Sequence, residues 1–362
     1  MGMNTVLPSR PRIFAEWEPH AYSIMAWPWR TDIWGSLLPY IQRDIEHLAR
    51  TISKYEHVLM LVPKKDFSRW WENRSKWPEN IGFCPFDYDD IFVRDTLPIW
   101  LNDFSAILPR FDGWGKKKIN TRTIPHTLDA KLASKWCELL AVDAIDLGFV
   151  IEGGGVESDG NGHVMLTRSN MLEWRRNGNT TEAAIESIFQ QKFDMKITWL
   201  PGSVDEYDLT DGHIDAIARY TSSGVVVYDD MDEADASIAP EEYAAIRKNA
   251  EAIQRGIPLC RPRGLYAKKL ECYSYANFYV TDSAVIMPWF RTNDPAEEKI
   301  YETVENAYDR KVVPINLPTL LRASGGGIHC VVREIPKHIC DHANAIGERE
   351  FNVRIGSVSA LK

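Results

Sequence analysis

The sequence predicts an α/β protein made of repeated ββαβ-like units packed around an axis. Two observations carry that expectation. Short apolar runs of strand length recur along the chain, and helical spacings separate only some of them, so two or three strands fall to each helix. A doubly wound parallel sheet would instead alternate one to one. A length of 362 residues permits one to three domains, and no long Ser/Gly- or Pro-rich linker divides them.

The strand-like runs are, in order, Val58 to Val62, Ile91 to Val93, Ala106 to Leu108, Phe149 to Ile151, Val164 to Thr167 and Ile197 to Leu200. Ile214 to Ala218, Val225 to Tyr228, Ser283 to Met287, Val312 to Ile315 and Ile328 to Val332 come next. Helices are predicted where apolar residues return at helical spacing: Leu37, Ile41, Ile45, Leu48 and Ile52, then Leu128, Leu132, Trp136 and Leu139. Glu182 to Phe193, Pro240 to Arg255 and Ala296 to Tyr308 complete the helical set.

Polar signals gather where these strands begin or end. Arg94-Asp95 comes after Ile91-Phe92-Val93, and Glu152 with three glycines after Phe149-Val150-Ile151. His213 and Asp215 open another run, and Cys330 lies inside the last. Such placement predicts one site assembled from distant segments.

Composition excludes several classes. Hydrophobic content of 44% and charged content of 26% are those of a soluble globular chain. A formal charge of -9 argues against a nucleic-acid partner and agrees with a cationic substrate. The six cysteines, Cys84, Cys137, Cys260, Cys272, Cys330 and Cys340, show no zinc-type spacing and predict no disulfide framework. Residues Met1 to Arg12 lack an apolar signal core, and Val6 stands where a myristoylation signal needs Ser or Thr. No apolar run approaches membrane-spanning length, so a reduced, cytoplasmic protein without a membrane association is expected.

Each cluster has a chemical reading and a plain one. Cys330 behind Gly325-Gly326-Gly327 reads as a nucleophile reached through a glycine-rich turn, or as a core cysteine. Asp95 could grip a planar cation through two parallel N–H bonds, or cap a turn. Glu152-Gly153-Gly154-Gly155 matches neither a P-loop nor a dinucleotide fingerprint, so nucleotide binding is not expected. His213 lies between Asp211 and Asp215, which favours its protonated form, and strand alternation would put His213 and Asp215 on one face. On a strand, His329 would point away from Cys330, making it the weaker histidine. Asn277, amid aromatics, reads as a buried amide or as an orienting partner for a nucleophile. No GxSxG elbow supports a serine hydrolase.

Taken together, seven segments resemble the agmatine deiminase and bacterial-type peptidylarginine deiminase family of guanidine-modifying enzymes. They are Met25-Ala26-Trp27-Pro28, Arg94-Asp95-Thr96-x-Pro98, Gly113-Trp114-Gly115, Glu152-Gly153-Gly154, Thr210-Asp211-Gly212-His213-Ile214-Asp215, Tyr275-Ala276-Asn277-Phe278-Tyr279 and Gly325-Gly326-Gly327-Ile328-His329-Cys330. They stand in the family's order from about residue 15 to residue 336, ahead of a tail over 337–362. The resemblance implies one domain over 1–362, a five-bladed α/β propeller (pentein) of ββαβ modules around a central channel. It also implies Cys330 as nucleophile, His213 as general acid and Asp95 and Asp215 as the guanidinium grip. Glu152, Asn277, Phe92 and Arg94 are then expected around the substrate, with Asn277 supporting the cysteine.

For activity, the resemblance implies hydrolysis of agmatine to N-carbamoylputrescine and ammonia, within putrescine biosynthesis. It implies no metal or organic cofactor, and a protein that could be a homodimer. Protonated His213 is expected to favour the Cys330 thiolate. Deimination of free or peptide-bound arginine, an amidinotransferase, and a catalytically silent guanidine-binding protein are the competing readings. Three departures bear on the substrate. Phe92 stands where the family has Trp, Leu97 where it has Gly, and the glycines run directly into Ile328-His329-Cys330 where agmatine deiminases carry an Asn. Leu97 is expected to reshape the pocket wall.

Overall fold

Five times along the chain, an antiparallel strand pair is followed by a helix and a third strand that returns parallel to the second. The computed structural model describes residues 10–119, 122–231, 233, 236–237, 239–257, 261–267, 274–290 and 295–344. Expectations that fell on Met1 to Pro8, Cys260, Cys272 and the tail beyond residue 344 lie outside them.

Four modules succeed one another directly. Strand Ile99–Trp100 pairs antiparallel with Ser105–Ile107, which runs parallel to Asp143–Ile145 after helix Leu132–Leu140. Glu157–Ser158, His163–Thr167 and Lys196–Leu200 repeat the pattern around helix Glu182–Phe193. Ala218–Tyr220, Val225–Met231 and Arg261–Ala267 do so around helix Pro240–Gly256, and Tyr279–Val280, Ala284–Pro288 and Lys311–Ile315 around Pro295–Tyr308. The fifth module closes the ring. Its antiparallel strand is the C-terminal Arg333–Pro336, which pairs with the N-terminal His20–Ala26. His20–Ala26 then runs parallel to Val58–Pro63 across helix Leu38–Ile52, and Ile81–Phe86 adds an outer strand.

Each helix forms for reasons written in its sequence. In Leu38–Ile52, Ile41, Ile45, Leu48, Ala49 and Ile52 share the buried stripe, and Pro39 sits in the first turn where its missing N–H costs nothing. Thr181 caps Glu182–Phe193 by accepting from the Ala184 N–H, and Asp194 ends it in the left-handed conformation. Pro240, Glu241 and Glu242 start the next helix, the acids complementing its dipole.

The first strand of every module lies innermost, and neighbouring modules are cross-linked there. Arg219 donates to Glu157 and to the Phe278 carbonyl, Trp100 Nε1 to the Glu334 carbonyl, and Arg333 to the Pro98 carbonyl. A buried ionic layer of Glu16, Arg94, Glu157, Arg219, Arg333 and Glu334 thus fills the axis. The apolar cores lie outside it, between the sheets and the helices.

Four expected strands are not strands. Ile91 to Val93 leads into a helical turn, Val93–Thr96, and Phe149 to Ile151 is unpaired ahead of a 3₁₀ turn, Gly153–Gly155. Ile214 to Ala218 opens as a 3₁₀ turn, Ile214–Ala216, and Ile328 to Val332 contains another, His329–Val331. All four are buried near the axis, so their apolar character reflects enclosure on every side and not sheet pairing.

Candidate active site

Each of these turns stands directly ahead of an innermost strand, and so does the turn carrying Asn277. Every module therefore delivers one polar side chain to the same end of the axis: Asp95, Glu152, Asp215 with His213, Asn277 and Cys330. The structure brings these side chains together, and turns rather than strand alternation direct them.

Local hydrogen bonds fix the turns. Asp208 accepts from the Thr210 and Gly212 N–H groups, and Thr167 Oγ1 donates to the Gly212 carbonyl at 2.6 Å, which sets the approach to His213. Gly153 is required where it is, because a Cβ there would lie 2.0 Å from the Arg94 carbonyl oxygen. Gly327 passes so close to Asn277 that a Cβ would sit 2.2 Å from its Oδ1.

His213 Nδ1, Asp95 Oδ1 and Asp215 Oδ2 converge on one point, lying 2.6, 2.9 and 3.0 Å from where a Cβ on Gly154 would be. His213 Nε2 is 2.7 Å from Glu152 Oε2, and Arg176 grips both oxygens of Glu152. Asp95 takes the Gly154 N–H on one oxygen and Trp114 Nε1 on the other, each at 2.9 Å. Asp215 Oδ1 is buried and has no hydrogen-bond partner. An ionised carboxylate oxygen left so is an acceptor waiting for a donor.

Cys330 keeps part of its surface open while its neighbours are buried. Asn277 Nδ2 is 3.3 Å from its sulfur, and Asn277 Oδ1 accepts the His329 N–H at 3.0 Å, so one amide orients both the thiol and its turn. Burial pushes the thiol well above its ordinary pKa, and Asp215 and Asp95 push it further. The expected help from His213 toward a resting thiolate is outweighed. Burial alone would lower the His213 pKa, but Asp95, Glu152 and Asp215 together raise it to about 9. Asp211, expected to do this, instead binds Lys117 and Arg176. Burial would raise Glu152, yet Arg176 and His213 hold it at about 2. At neutral pH the site thus holds a thiol, an imidazolium and anionic Glu152 and Asp215, a set that suits a cation.

Two expectations change. Arg94 does not face this cluster: its guanidinium is committed to Glu334, Glu16 and the His329 carbonyl in the layer beneath. Leu97 is fully buried in an apolar core with Val93 and Trp100, and its extended φ of -93° needs no glycine, so it shapes no pocket wall. Phe92 does border the site, edge-on to Trp114 at 5.5 Å and against Gly326.

Sequence reasoning gave no role to Glu16, Arg176, Trp114 or Lys117. Trp114 carried a signal in its flanking glycines. Gly113, Trp114, Gly115 and Lys116 all have positive φ, from 55° to 77°, making one left-handed turn that aims the indole at Asp95. Lys117 ties this turn to the Asp208 carbonyl and to Asp211, both at 2.6 Å. A cavity of about 590 Å³ lined by Arg168, Trp199, Lys248 and Arg255, among others, shares no residue with the cluster.

A family model for Porphyromonas-type peptidyl-arginine deiminases matches residues 12–336. The chain belongs to that family. Among its relatives, a protein of Mycoplasma capricolum subsp. capricolum provisionally named agmatine deiminase is 28% identical over 351 residues, covering 89% of this chain and 94% of the relative. The agmatine deiminase of Enterococcus faecalis superposes with a TM-score of 0.78 at 23% identity, over 91% of this chain and 98% of that one. A Cys-to-Ser variant of the C. jejuni agmatine deiminase with substrate bound gives the same TM-score and identity over 92% and 99%. These superpositions establish the fold of a pentein, in agreement with the five modules. Among the described residues no helix is long and apolar enough to cross a membrane.

Proposed function

We propose that this deiminase-family protein hydrolyses agmatine to N-carbamoylputrescine and ammonia through a covalent amidino-thioether on Cys330. The observation that carries the reading is that His213, Asp95 and Asp215 crowd together around Gly154 beside Cys330, whose sulfur is 3.9 Å from Asp215 Oδ2, while the other oxygen of Asp215, Oδ1, is buried and unpartnered. Two carboxylates beside one thiol suit a planar guanidinium.

The bound cation offsets the charges that disfavour the thiolate, so substrate itself promotes ionisation of Cys330, whose proton passes to solvent because His213 already carries one. The sulfur adds to the guanidinium carbon and a C–S bond forms. As the tetrahedral adduct collapses, one C–N bond breaks, and that nitrogen takes a proton from imidazolium His213 and leaves as ammonia. Neutral His213 then removes a proton from water as its oxygen attacks the same carbon. The C–S bond then breaks as the C=O bond forms, the adduct's hydroxyl proton passing to the departing sulfur, which returns the Cys330 thiol and releases the ureido product.

Agmatine is preferred over arginine because the described arginines around the site already have anionic partners: Arg94 with Glu334, Arg176 with Glu152 and Asp211, Arg219 with Glu157 and Glu16. None of these three is left to clamp an α-carboxylate. The names of the Mycoplasma and Enterococcus relatives point the same way. The test is ammonia release from agmatine, arginine, arginyl peptides and shorter or longer guanidino amines and acids, with no amine acceptor present. Agmatine is expected to lead. Turnover only after adding an amine would make the protein an amidinotransferase, and preference for arginine or a peptide would overturn the substrate assignment.

A further inference from the structure

The ring of His329 bridges two carboxylates, buried Asp215 and the mostly buried Glu16. Its Nδ1 lies 2.7 Å from Asp215 Oδ2 and its Nε2 2.5 Å from Glu16 Oε2. Glu16 belongs to the N-terminal segment at the axis and is itself pinned from several modules. Arg219 donates to its Oε2 at 2.7 Å, the Val280 N–H to its Oε1 at 2.8 Å, and Arg94 stands 3.6 Å away. Asp215 is thereby asymmetric. Oδ2 takes His329 and stands on the side of His213 and Cys330, while Oδ1 has no partner.

We propose that Glu16 and His329 are positioning residues of the deimination reaction, a relay that fixes the orientation of the Asp215 carboxylate, with Oδ2 held beside His213 and Cys330 and Oδ1 left free to accept from the substrate. The proposal rests on the reading of the site as a guanidinium seat. A buried carboxylate with no fixed partner can rotate about its terminal torsion, and a misdirected oxygen loses the in-plane contact on which a bidentate grip depends. His329 removes that freedom, and Glu16 removes the freedom of His329. The relay also keeps Asp215 anionic: burial would raise its pKa, but His329, then His213 and Arg219, hold it below the ordinary carboxylate range.

Two near-isosteric substitutions separate positioning from packing. The amide nitrogen of His329→Asn stands close to where Nδ1 stood and still serves Asp215 but not Glu16. That of His329→Gln reaches to the place of Nε2 and serves Glu16 but not Asp215. The primary readout is the rate of Cys330 labelling by cationic chloroacetamidine divided by the rate with neutral iodoacetamide, a ratio that cancels general damage to the thiol. His329→Gln should lower this ratio, and kcat/KM for agmatine chiefly through KM, by about tenfold to a hundredfold. His329→Asn, which keeps the contact to Asp215 but loses the anchor on Glu16, should lower both by only about threefold. An unchanged ratio in folded His329→Gln, or equal losses in the two variants, overturns the proposal. Should the Gln variant not fold, Glu16→Met is read by the same ratio, where a fall supports the relay and no change removes it. A wild-type protein that releases ammonia from no guanidine refutes the hydrolytic reading alone, since the labelling ratio still reports on Asp215.

Discussion

His213 Nε2 sits 2.7 Å from Glu152 Oε2, and Arg176 holds the same carboxylate from its other side. This arrangement keeps His213, the proposed general acid, charged. With its pKa at about 9, His213 is protonated at neutral pH and loses its proton only as pH rises through that value. The deimination rate should therefore fall on the alkaline side near pH 9. Glu152→Gln removes one of the three carboxylates that raise the value, so the fall should begin at lower pH. The same substitution strips buried Arg176 of its main partner, and a stability loss of about 3–5 kcal/mol is expected in urea melts. A pH–rate profile for variant and wild type checks both the direction and the limb.

Cys330 should behave as a poor nucleophile until a cation arrives. Burial, Asp215 and Asp95 hold its thiol well above 9, so alkylation by iodoacetamide should climb through the alkaline range without levelling by pH 9. A haloacetamidine places positive charge between the two aspartates and should label at neutral pH at least about a hundredfold faster than its neutral counterpart. Asp215→Asn or Asp95→Asn should erase most of that advantage. Cys330→Ala should abolish labelling and lower ammonia release by at least about 10³-fold.

Legibility in the sequence depended on which residues carry local signals. Cys330, His213, Asp95 and Asp215 stand beside glycines or in motifs, because their turns need close backbone approach, and the sequence records that need. The helices were readable for the same reason, since one-sided burial leaves a periodic stripe as in Ile41, Ile45 and Leu48. The turns resembled strands because residues enclosed on every side, such as Ile91 and Ile328, carry no periodicity. Glu16 and Arg176 were invisible. Their roles come from pairing with residues far along the chain, as Glu16 does with His329, and nothing adjacent to them marks it. Arg94 and Leu97 were misjudged by proximity, since neighbours of Asp95 in sequence point into the ionic layer and the core.

Away from the site, buried His20 lies 3.3 Å from Glu56 at the closure between the N-terminal strand and the outer loops. Burial would lower its pKa, yet Glu56 first, then Glu334 and Glu16, raise it to about 9. A pKa raised on folding means that the pair's stabilisation is fully present below the unfolded value of about 6.5 and is lost as pH rises through about 9. Wild type should lose about 1–2 kcal/mol between pH 6.5 and pH 9.5 through this pair, allowing for its long contact. His20→Gln should be less stable at pH 6.5 and should show a flatter stability profile over that interval. Urea denaturation at several pH values makes the comparison.

Gly154 and Gly325 should fail in opposite ways. Gly154 has an ordinary backbone conformation, but a Cβ there would stand 2.6 Å from His213 Nδ1 and 2.9 Å from Asp95 Oδ1. Both side chains are buried and anchored, His213 by Glu152 and Asp95 by Trp114, so neither can give way cheaply. Gly154→Ala should therefore cost at least about a hundredfold in kcat/KM by displacing the acid from the grip. Gly325 has φ +76° and nothing within 4 Å of an added Cβ. Gly325→Ala should cost about 1–2 kcal/mol of stability through backbone strain, with kcat/KM within about threefold of wild type. Gly325→Asn should recover part of that stability, since Asn tolerates the left-handed region. Thermal melts and ammonia-release kinetics on the three variants decide it. A Gly154→Ala enzyme with wild-type turnover would mean that the convergence of His213 and Asp95 on that point is not where the reaction occurs.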